Sequence, residues 1–334
     1  MAREDVYRQS IALIESSHSI LVTTHTRPDG DACGCVAAVT EVLRNSGKRV
    51  QALLLSPMPQ WYAFVFAEQI PVLGKDLQVE DLARGAFADV DLVVLLDTNS
   101  YSQLTGLEDY LKQSVRPVLV IDHHVTSDKL GRVEISDATA GAAGLVLYEF
   151  LKYARWPITR TVAEALFVAI ATDTGWFQLS NTDSRVYRSC AELVDLGVQP
   201  TELYKKLYQS FSHERFKLMV RMLNTLELHL DGRYASQHIV LEDFEKTGAA
   251  HQDTENLINE CQRIGSVRVA ALFVEQRDGR VRCSLRSRGE VDVSDLAAKF
   301  GGGGHKMASG TFLPGPIENA KRLVFDEIAR RLAP

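Results

Sequence analysis

Short, uninterrupted apolar runs punctuate the first half of the chain, and each gives way abruptly to a charged or imidazole side chain. Residues 19–24 deliver His25, residues 91–96 deliver Asp97, and residues 115–121, with Val118-Leu119-Val120-Ile121 at their heart, deliver Asp122. Such runs suit central parallel strands covered on both faces. Helical patterns lie between them: an amphipathic stretch from residue 5 to about 16, a small-residue stretch from Ala32 to about Asn45 stopped by Gly47, and an apolar stretch over 163–172 that ends at Asp173-Thr174-Gly175. Residues 49–55 read as a further strand. Strand, turn, helix, glycine stop, strand is a βαβ unit, which predicts a parallel sheet with helices on both faces. Ser184 is placed to N-cap another helix that stops at Gly197.

Beyond residue 200 the pattern changes. An amphipathic helical stretch over 201–226 carries Lys205-Lys206. Turn signals at Asp231-Gly232 and Asp278-Gly279 then separate strand-like runs, the second pair being 267–275 and 281–285. Helical patterns at 254–263, 292–300 and 317–332 fill the remainder. The expected fold class is therefore α/β, with a parallel-sheet domain over 1–197, a helical linker over 198–228, and a smaller C-terminal α+β domain over 229–334.

Composition narrows the partners. The chain has 334 residues, with 37 Lys plus Arg against 43 Asp plus Glu and a net charge of −6. Proteins that grip long nucleic acid by its phosphates usually carry a basic excess. Its absence points to small or short anionic substrates held at local basic spots, with no long duplex. The cysteines at 33, 35, 190, 261 and 283 are odd in number and form no CxxC pair. They read as reduced, mostly buried thiols of a cytoplasmic protein. The first residues lack the features of a signal peptide, and no apolar run has the length of a membrane span, so no membrane association is expected.

Against that background the strand ends carry the chemistry. Asp122-His123-His124 follows a buried strand, the position where open α/β sheets bind ligands. His25-Thr-Arg-Pro-Asp29-Gly-Asp31 lets an imidazole and two carboxylates converge from one turn, although Asp31 could equally cap the next helix. Asp97 and Asp173 taken singly are ordinary turn or helix-end residues. In order along the chain, the four segments offer enough ligands for two metals sharing a bridging carboxylate. Oxygen-rich donors with few imidazoles and no thiolate favour Mn²⁺ over Zn²⁺. Two such ions suit phosphoester hydrolysis. In the C-terminal half, Gly301-Gly-Gly-Gly-His305-Lys306 can bring backbone N–H groups close to an anion, and Arg286 and Arg288 offer guanidinium groups for phosphate.

These segments resemble the DHH phosphoesterases. His25-x-x-Pro-Asp29-x-Asp31, Asp97, Asp122-His123-His124 and Asp173 are similar to that family's ordered motifs. Ser284-Leu-Arg-Ser with Gly-Gly-Gly-Gly-His305 resembles its DHH-associated C-terminal domain. The resemblance covers nearly the whole chain and is strongest to the bacterial subgroup that hydrolyses short RNA and 3′-phosphoadenosine-5′-phosphate. It implies dependence on two Mn²⁺ ions and an active-site cleft between two domains. Carried over residue by residue, His25, Asp29 and Asp97 hold one ion, and Asp31, Asp97, His123 and Asp173 the other, with Asp97 bridging. His124 contacts the scissile phosphate or supports the site, and Asp122 orients the histidines. Arg286 with Gly303, Gly304 and His305 holds the distal nucleotide. The resemblance leaves a homodimer open.

Two alternatives accompany this expectation. One is hydrolysis of cyclic or linear di-adenylates, which the same site would serve. The other is a nucleotide sensor without catalysis, which predicts a broken ligand set; all six proposed metal ligands are present.

Overall fold

The computed structural model describes residues 3–209 and 211–332, apart from the His305 side chain. They fall into two compact units, 1–210 and 211–334. In the first unit α1 (Arg3–Ser16) precedes β1 (Ser19–Thr24), α2 (Gly30–Asn45), β2 (Arg49–Ala52) and the short α3 (Val79–Ala83). Next come β3 (Leu92–Leu96), α4 (Glu108–Gln113), β4 (Val118–Asp122) and β5 (Val133–Ser136). Four helices complete the unit: α5 (Ala143–Ala154), α6 (Arg160–Asp173), α7 (Ser184–Asp195) and α8 (Pro200–Tyr208). The strands form one parallel sheet in the order β2-β1-β3-β4-β5.

The apolar runs become strands because the pleat gives each alternate side chain an apolar partner. Ile20, Val22, Leu92, Val94, Leu96, Leu119 and Ile121 enter the core built with α2, α5 and α6. Leu21, Val93, Leu95 and Val120 enter a second core on the opposite face, with Leu82 and Leu111 from the short helices. Small residues let α2 and α6 touch almost backbone to backbone. A Cβ on Gly34 would lie 2.4 Å from the Ala165 carbonyl oxygen.

The strand order reverses between β1 and β3, since the chain winds outward from β1 to β2 on one side and from β3 through β5 on the other. Crevices at such switch points, outside the carboxyl ends of the strands, are where open sheets take ligands. His25 and Asp97 stand at the ends of the two strands that flank this one.

The second unit begins with α9 (His213–Leu223), β6 (Glu227–His229), β7 (Tyr234–Ile239) and α10 (Leu241–Thr247). It continues through β8 (Val269–Glu275), β9 (Arg280–Ser287), α11 (Val293–Ala298), β10 (Gly303–His305), β11 (Ala308–Pro314) and α12 (Ile317–Arg331). Its sheet, β10-β11-β9-β8-β7-β6, is antiparallel except for the parallel β7–β8 pair. Both expected hairpin turns are present, joining β6 to β7 and β8 to β9.

Four local features differ from the sequence reading. The helix after the first strand starts at Gly30, and its N-cap is Asp29, not Asp31. Asp183, not Ser184, caps α7. Strand β2 ends at Ala52, after which Leu54 bridges to Val72. Gly303–His305 pairs with β11 as an edge strand, an element that the glycine run did not signal. The stretch 198–228 is shared between the units: Leu203 and Leu207 of α8 are buried in the first, and Leu218 and Met222 of α9 in the second. No helix among the described residues is long and apolar enough to cross a membrane.

Candidate metal centre

The proposed ligands from four segments meet at the carboxyl edge of the parallel sheet. His25, Asp29 and Asp97 bring one ligand atom each within 4.8 Å of one another, and so do Asp31, His123 and Asp173. Asp97 also groups with His123 and His124, so it faces both triads. Its Oδ2 lies 3.5 Å from His25 Nε2, and its Oδ1 lies 3.5 Å from His123 Nε2 and 3.7 Å from His124 Nδ1. His123 Nε2 is 3.6 Å from Asp173 Oδ2 and 4.0 Å from Asp31 Oδ2.

The imidazoles are oriented by their other nitrogens. His25 Nδ1 is 3.1 Å from its neighbour Thr26's carbonyl, and His123 Nδ1 is 3.2 Å from that of Ala140. A carbonyl can only accept, so each Nδ1 donates there and each Nε2 is left as the nitrogen that faces the carboxylates. His124 differs. Its Nδ1 faces Asp122 Oδ1 at 2.7 Å, and the same oxygen accepts the His123 backbone N–H at 2.8 Å. Burial alone would lower the basicity of His124, but the hydrogen bond and charge of Asp122 prevail and raise its pKa. Burial likewise opposes ionisation of Asp122, and its pairing with His124 overrides that and lowers its pKa.

The carboxylates are positioned by backbone. Asp29 Oδ1 accepts from the N–H groups of Asp31 and Ala32, fixing the turn into α2. Asp31 crosses to α5 and accepts the N–H groups of Ala143 and Gly144. Asp97 adopts φ +57°, a conformation that aspartate tolerates better than most residues. It is 3% exposed, and its Oδ1 has no hydrogen-bond partner among the described residues.

This geometry asks for a cation. No lysine or arginine pairs with Asp31, Asp97 or Asp173 among the described residues. Two carboxylates within 4.8 Å repel by roughly 3–4 kcal/mol at an effective dielectric near 20. Burial and the charge of Asp29 push Asp31 up to about 7, and burial and the charge of Asp31 do the same to Asp173. Burial together with Asp31, Asp29, Asp173 and Asp122 holds Asp97 well above the usual carboxylate range. A set of carboxylate oxygens and imidazole nitrogens without a thiolate suits hard to borderline divalent ions.

Comparison with known proteins gives this arrangement its family. Residues 19–170 match the N-terminal domain of the DHH family, and residues 233–333 match the DHHA1 domain. The chain is a hydrolase of the DHH family. It is 29% identical over 317 residues to the bifunctional oligoribonuclease and PAP phosphatase NrnA of Thermus thermophilus, covering 94% of this chain and 90% of that protein. The NrnA of Bacillus subtilis is 28% identical over 308 residues, covering 90% and 91%. An exopolyphosphatase-related protein from Bacteroides fragilis shares the fold, with a TM-score of 0.89 at 24% identity over 98% and 96% of the two chains. In this DHH protein the segments from His25 to His124 lie within the matched span, and Asp173 lies just beyond it.

In the DHHA1 unit the candidate residues are less alike than the sequence suggested. Arg286 is half-buried, and its guanidinium meets Asn259, Asn256 and the Leu285 carbonyl; no carboxylate pairs with it among the described residues. Arg288 spends its guanidinium on the carbonyls of Gln262, Ile264 and Gly265. A Cβ on Gly304 would meet the Ala308 carbonyl oxygen at 2.6 Å, so the β10–β11 pairing itself requires that glycine. Gly303 has nothing within 4 Å of that position. The His305 side chain lies outside the described parts.

Sequence reasoning passed over Asn99, two residues beyond Asp97 and 2% exposed. Its side chain bonds Ser127 Oγ at 2.7 Å and the Leu130 N–H at 3.2 Å, and its carbonyl accepts from Asp128. It thereby ties the loop after β3 to the loop that carries His123 and His124. Asn99→Ala should destabilise the protein by about 1–3 kcal/mol and lower kcat together with melting temperature. Wild-type kcat in a folded variant would mean that the loop holds its shape unaided.

Proposed function

We propose that the chain is a two-metal, Mn²⁺-dependent phosphodiesterase and phosphatase of the cytoplasm. Its substrates would be very short single-stranded RNA, cut to nucleoside 5′-monophosphates, and 3′-phosphoadenosine-5′-phosphate, cut to AMP. The observation that carries this reading is the pair of ligand triads, His25-Asp29-Asp97 and Asp31-His123-Asp173, with Asp97 at the end of β3 also grouping with His123 of the second triad and with His124. The relatives named oligoribonuclease and PAP phosphatase, aligned over nine-tenths of the chain, supply the substrate class.

In this reading His25, Asp29 and Asp97 hold one ion, and Asp31, Asp97, His123 and Asp173 the other. Bound there, the ions would polarise the phosphoryl group, lower the pKa of a water and stabilise the leaving oxygen. The protein's own groups do the rest. His25 and His123 donate Nδ1–H to carbonyls, which turns Nε2 toward the ions. Asp122 favours the protonated form of His124, which lets that ring meet the charge of the phosphate. In the second unit Arg286, whose hydrogen-bond partners are neutral and whose guanidinium makes no direct ion pair among the described residues, can meet a substrate phosphate. Gly303, with Gly304 and His305, would give backbone access on β10, one strand removed from the β9 that carries Arg286. Arg288 is assigned to holding the 262–265 loop, through which it would act only indirectly.

The test is an Mn²⁺-supplemented assay that compares 3′-phosphoadenosine-5′-phosphate, RNAs from dinucleotide to about two dozen nucleotides, cyclic di-AMP and pyrophosphate. Turnover should be highest on the first and on the shortest RNAs and fall with length. Arg286→Ala should raise KM about tenfold or more with little change in kcat. Inertness toward all four substrates would overturn the reading, and exclusive turnover of cyclic di-AMP would replace it with the di-adenylate alternative.

A further inference from the structure

Asp31 is held by groups that have no chemistry of their own to perform. Its Oδ2 accepts the Ala143 N–H at 2.6 Å and its Oδ1 the Gly144 N–H at 2.8 Å, the first two N–H groups of α5. The N-cap of that helix is Ala142, which has no side chain to cap with, so Asp31 supplies the acceptor from another element. One turn further along α2, the Cys35 thiol donates to the same Oδ1 at 3.3 Å. Asp31 is 1% exposed, and Cys35 and Ala143 are fully buried. Water therefore cannot replace a lost donor.

Donors on both oxygens keep this carboxylate from rotating. Its Oδ2 remains aimed at the triad with His123 and Asp173, where its separation from His123 Nε2 is 4.0 Å. We propose that Cys35 and the first turn of α5 are positioning groups for Asp31, fixing the carboxylate for a divalent ion and thereby setting that ion's affinity. This rests on the reading of Asp31 as a metal ligand. Partners that orient a ligand through hydrogen bonds contribute about 10–100-fold to metal affinity in other sites. Cys35 differs in this respect from its neighbour Cys33. Both are buried on α2, but the Cys33 sulfur contacts Met58 Sδ at 4.0 Å and has no hydrogen bond to a carboxylate among the described residues.

That contrast provides the control. Full-length protein stripped of metal is titrated calorimetrically with Mn²⁺, and the Mn²⁺ concentration for half-maximal turnover is measured alongside. Cys35→Ala should weaken binding and raise that concentration about tenfold, with kcat recovered at saturating Mn²⁺. Cys35→Ser restores an O–H donor and should stay within about twofold of wild type, as should Cys33→Ala, which leaves an equal void. Ala143→Pro removes the N–H to Oδ2 at a helix position where proline is tolerated, and should weaken binding at least as much. It serves in place of Cys35→Ala should that variant not fold. Mn²⁺ binding by Cys35→Ala equal to that of Cys33→Ala, or wild-type binding by Ala143→Pro, would overturn the positioning role alone. A wild-type protein that takes up no Mn²⁺ would overturn both this role and the proposed function.

Discussion

Asp97→Asn is expected to lower kcat about a thousandfold, several kcal/mol of transition-state stabilisation, while leaving the metal-free protein at least as stable as wild type. The two halves of this expectation have one cause. Asp97 is buried, its Oδ1 has no hydrogen-bond partner among the described residues, and the charges of Asp31, Asp29, Asp173 and Asp122 act against it, with three imidazoles and no lysine or arginine to offset them. Such a group burdens the empty fold and is retained for what it binds. Asparagine keeps the shape, removes the repulsion and tolerates the left-handed φ of +57°, whereas alanine at that φ would add strain of its own. Melting curves in chelator and turnover of 3′-phosphoadenosine-5′-phosphate with Mn²⁺ separate the effects. Wild-type turnover by a folded Asp97→Asn protein would refute the bridging role. A large drop in melting temperature would show that the carboxylate holds its loops in place.

The parallel sheet was legible because both faces of a central strand are covered, which leaves an unbroken apolar run that ends where the cover ends. The segments bearing His25, Asp97 and Asp122-His123-His124 could be read for the same reason. What decides the finer assignments is contact distant in sequence. Asp29 and Asp31 fit the local pattern of an N-cap equally well. Asp31 is withdrawn from that role by N–H groups more than a hundred residues away, at Ala143 and Gly144. Asn99 looked like any polar turn residue, because its partners at 127–130 belong to another loop. Cys35 read as an inert thiol since nothing local says which way its sulfur points. The glycine run could not be read as a strand because a strand without side chains has no pattern, and only β11 gives it a partner. The amphipathic helices α8 and α9 announced themselves as helices, but periodicity does not tell which core receives the apolar face.

Removal of divalent ions should abolish turnover and lower the melting temperature of the first unit by about 5–10 °C, both restored by Mn²⁺. All six proposed ligands lie in that unit, and the native fold alone assembles them, so the ion binds the folded state and not the unfolded chain. Free metal at 100 times Kd then contributes about 2.7 kcal/mol per site. For a unit of this size each kcal/mol moves the transition by about 2–4 °C, which gives the stated range from one site. A second occupied site would extend it. The crowding of Asp31, Asp97 and Asp173 works in the same direction, because the ions relieve a repulsion that is otherwise met by protons. The DHHA1 unit provides an internal reference. Where its transition is resolved, it should not move with Mn²⁺, since none of the proposed ligands belongs to it. A first-unit transition equally indifferent to Mn²⁺ would remove the metal centre from these residues, and the carboxylates would then need another cation or shared protons to explain how they lie together.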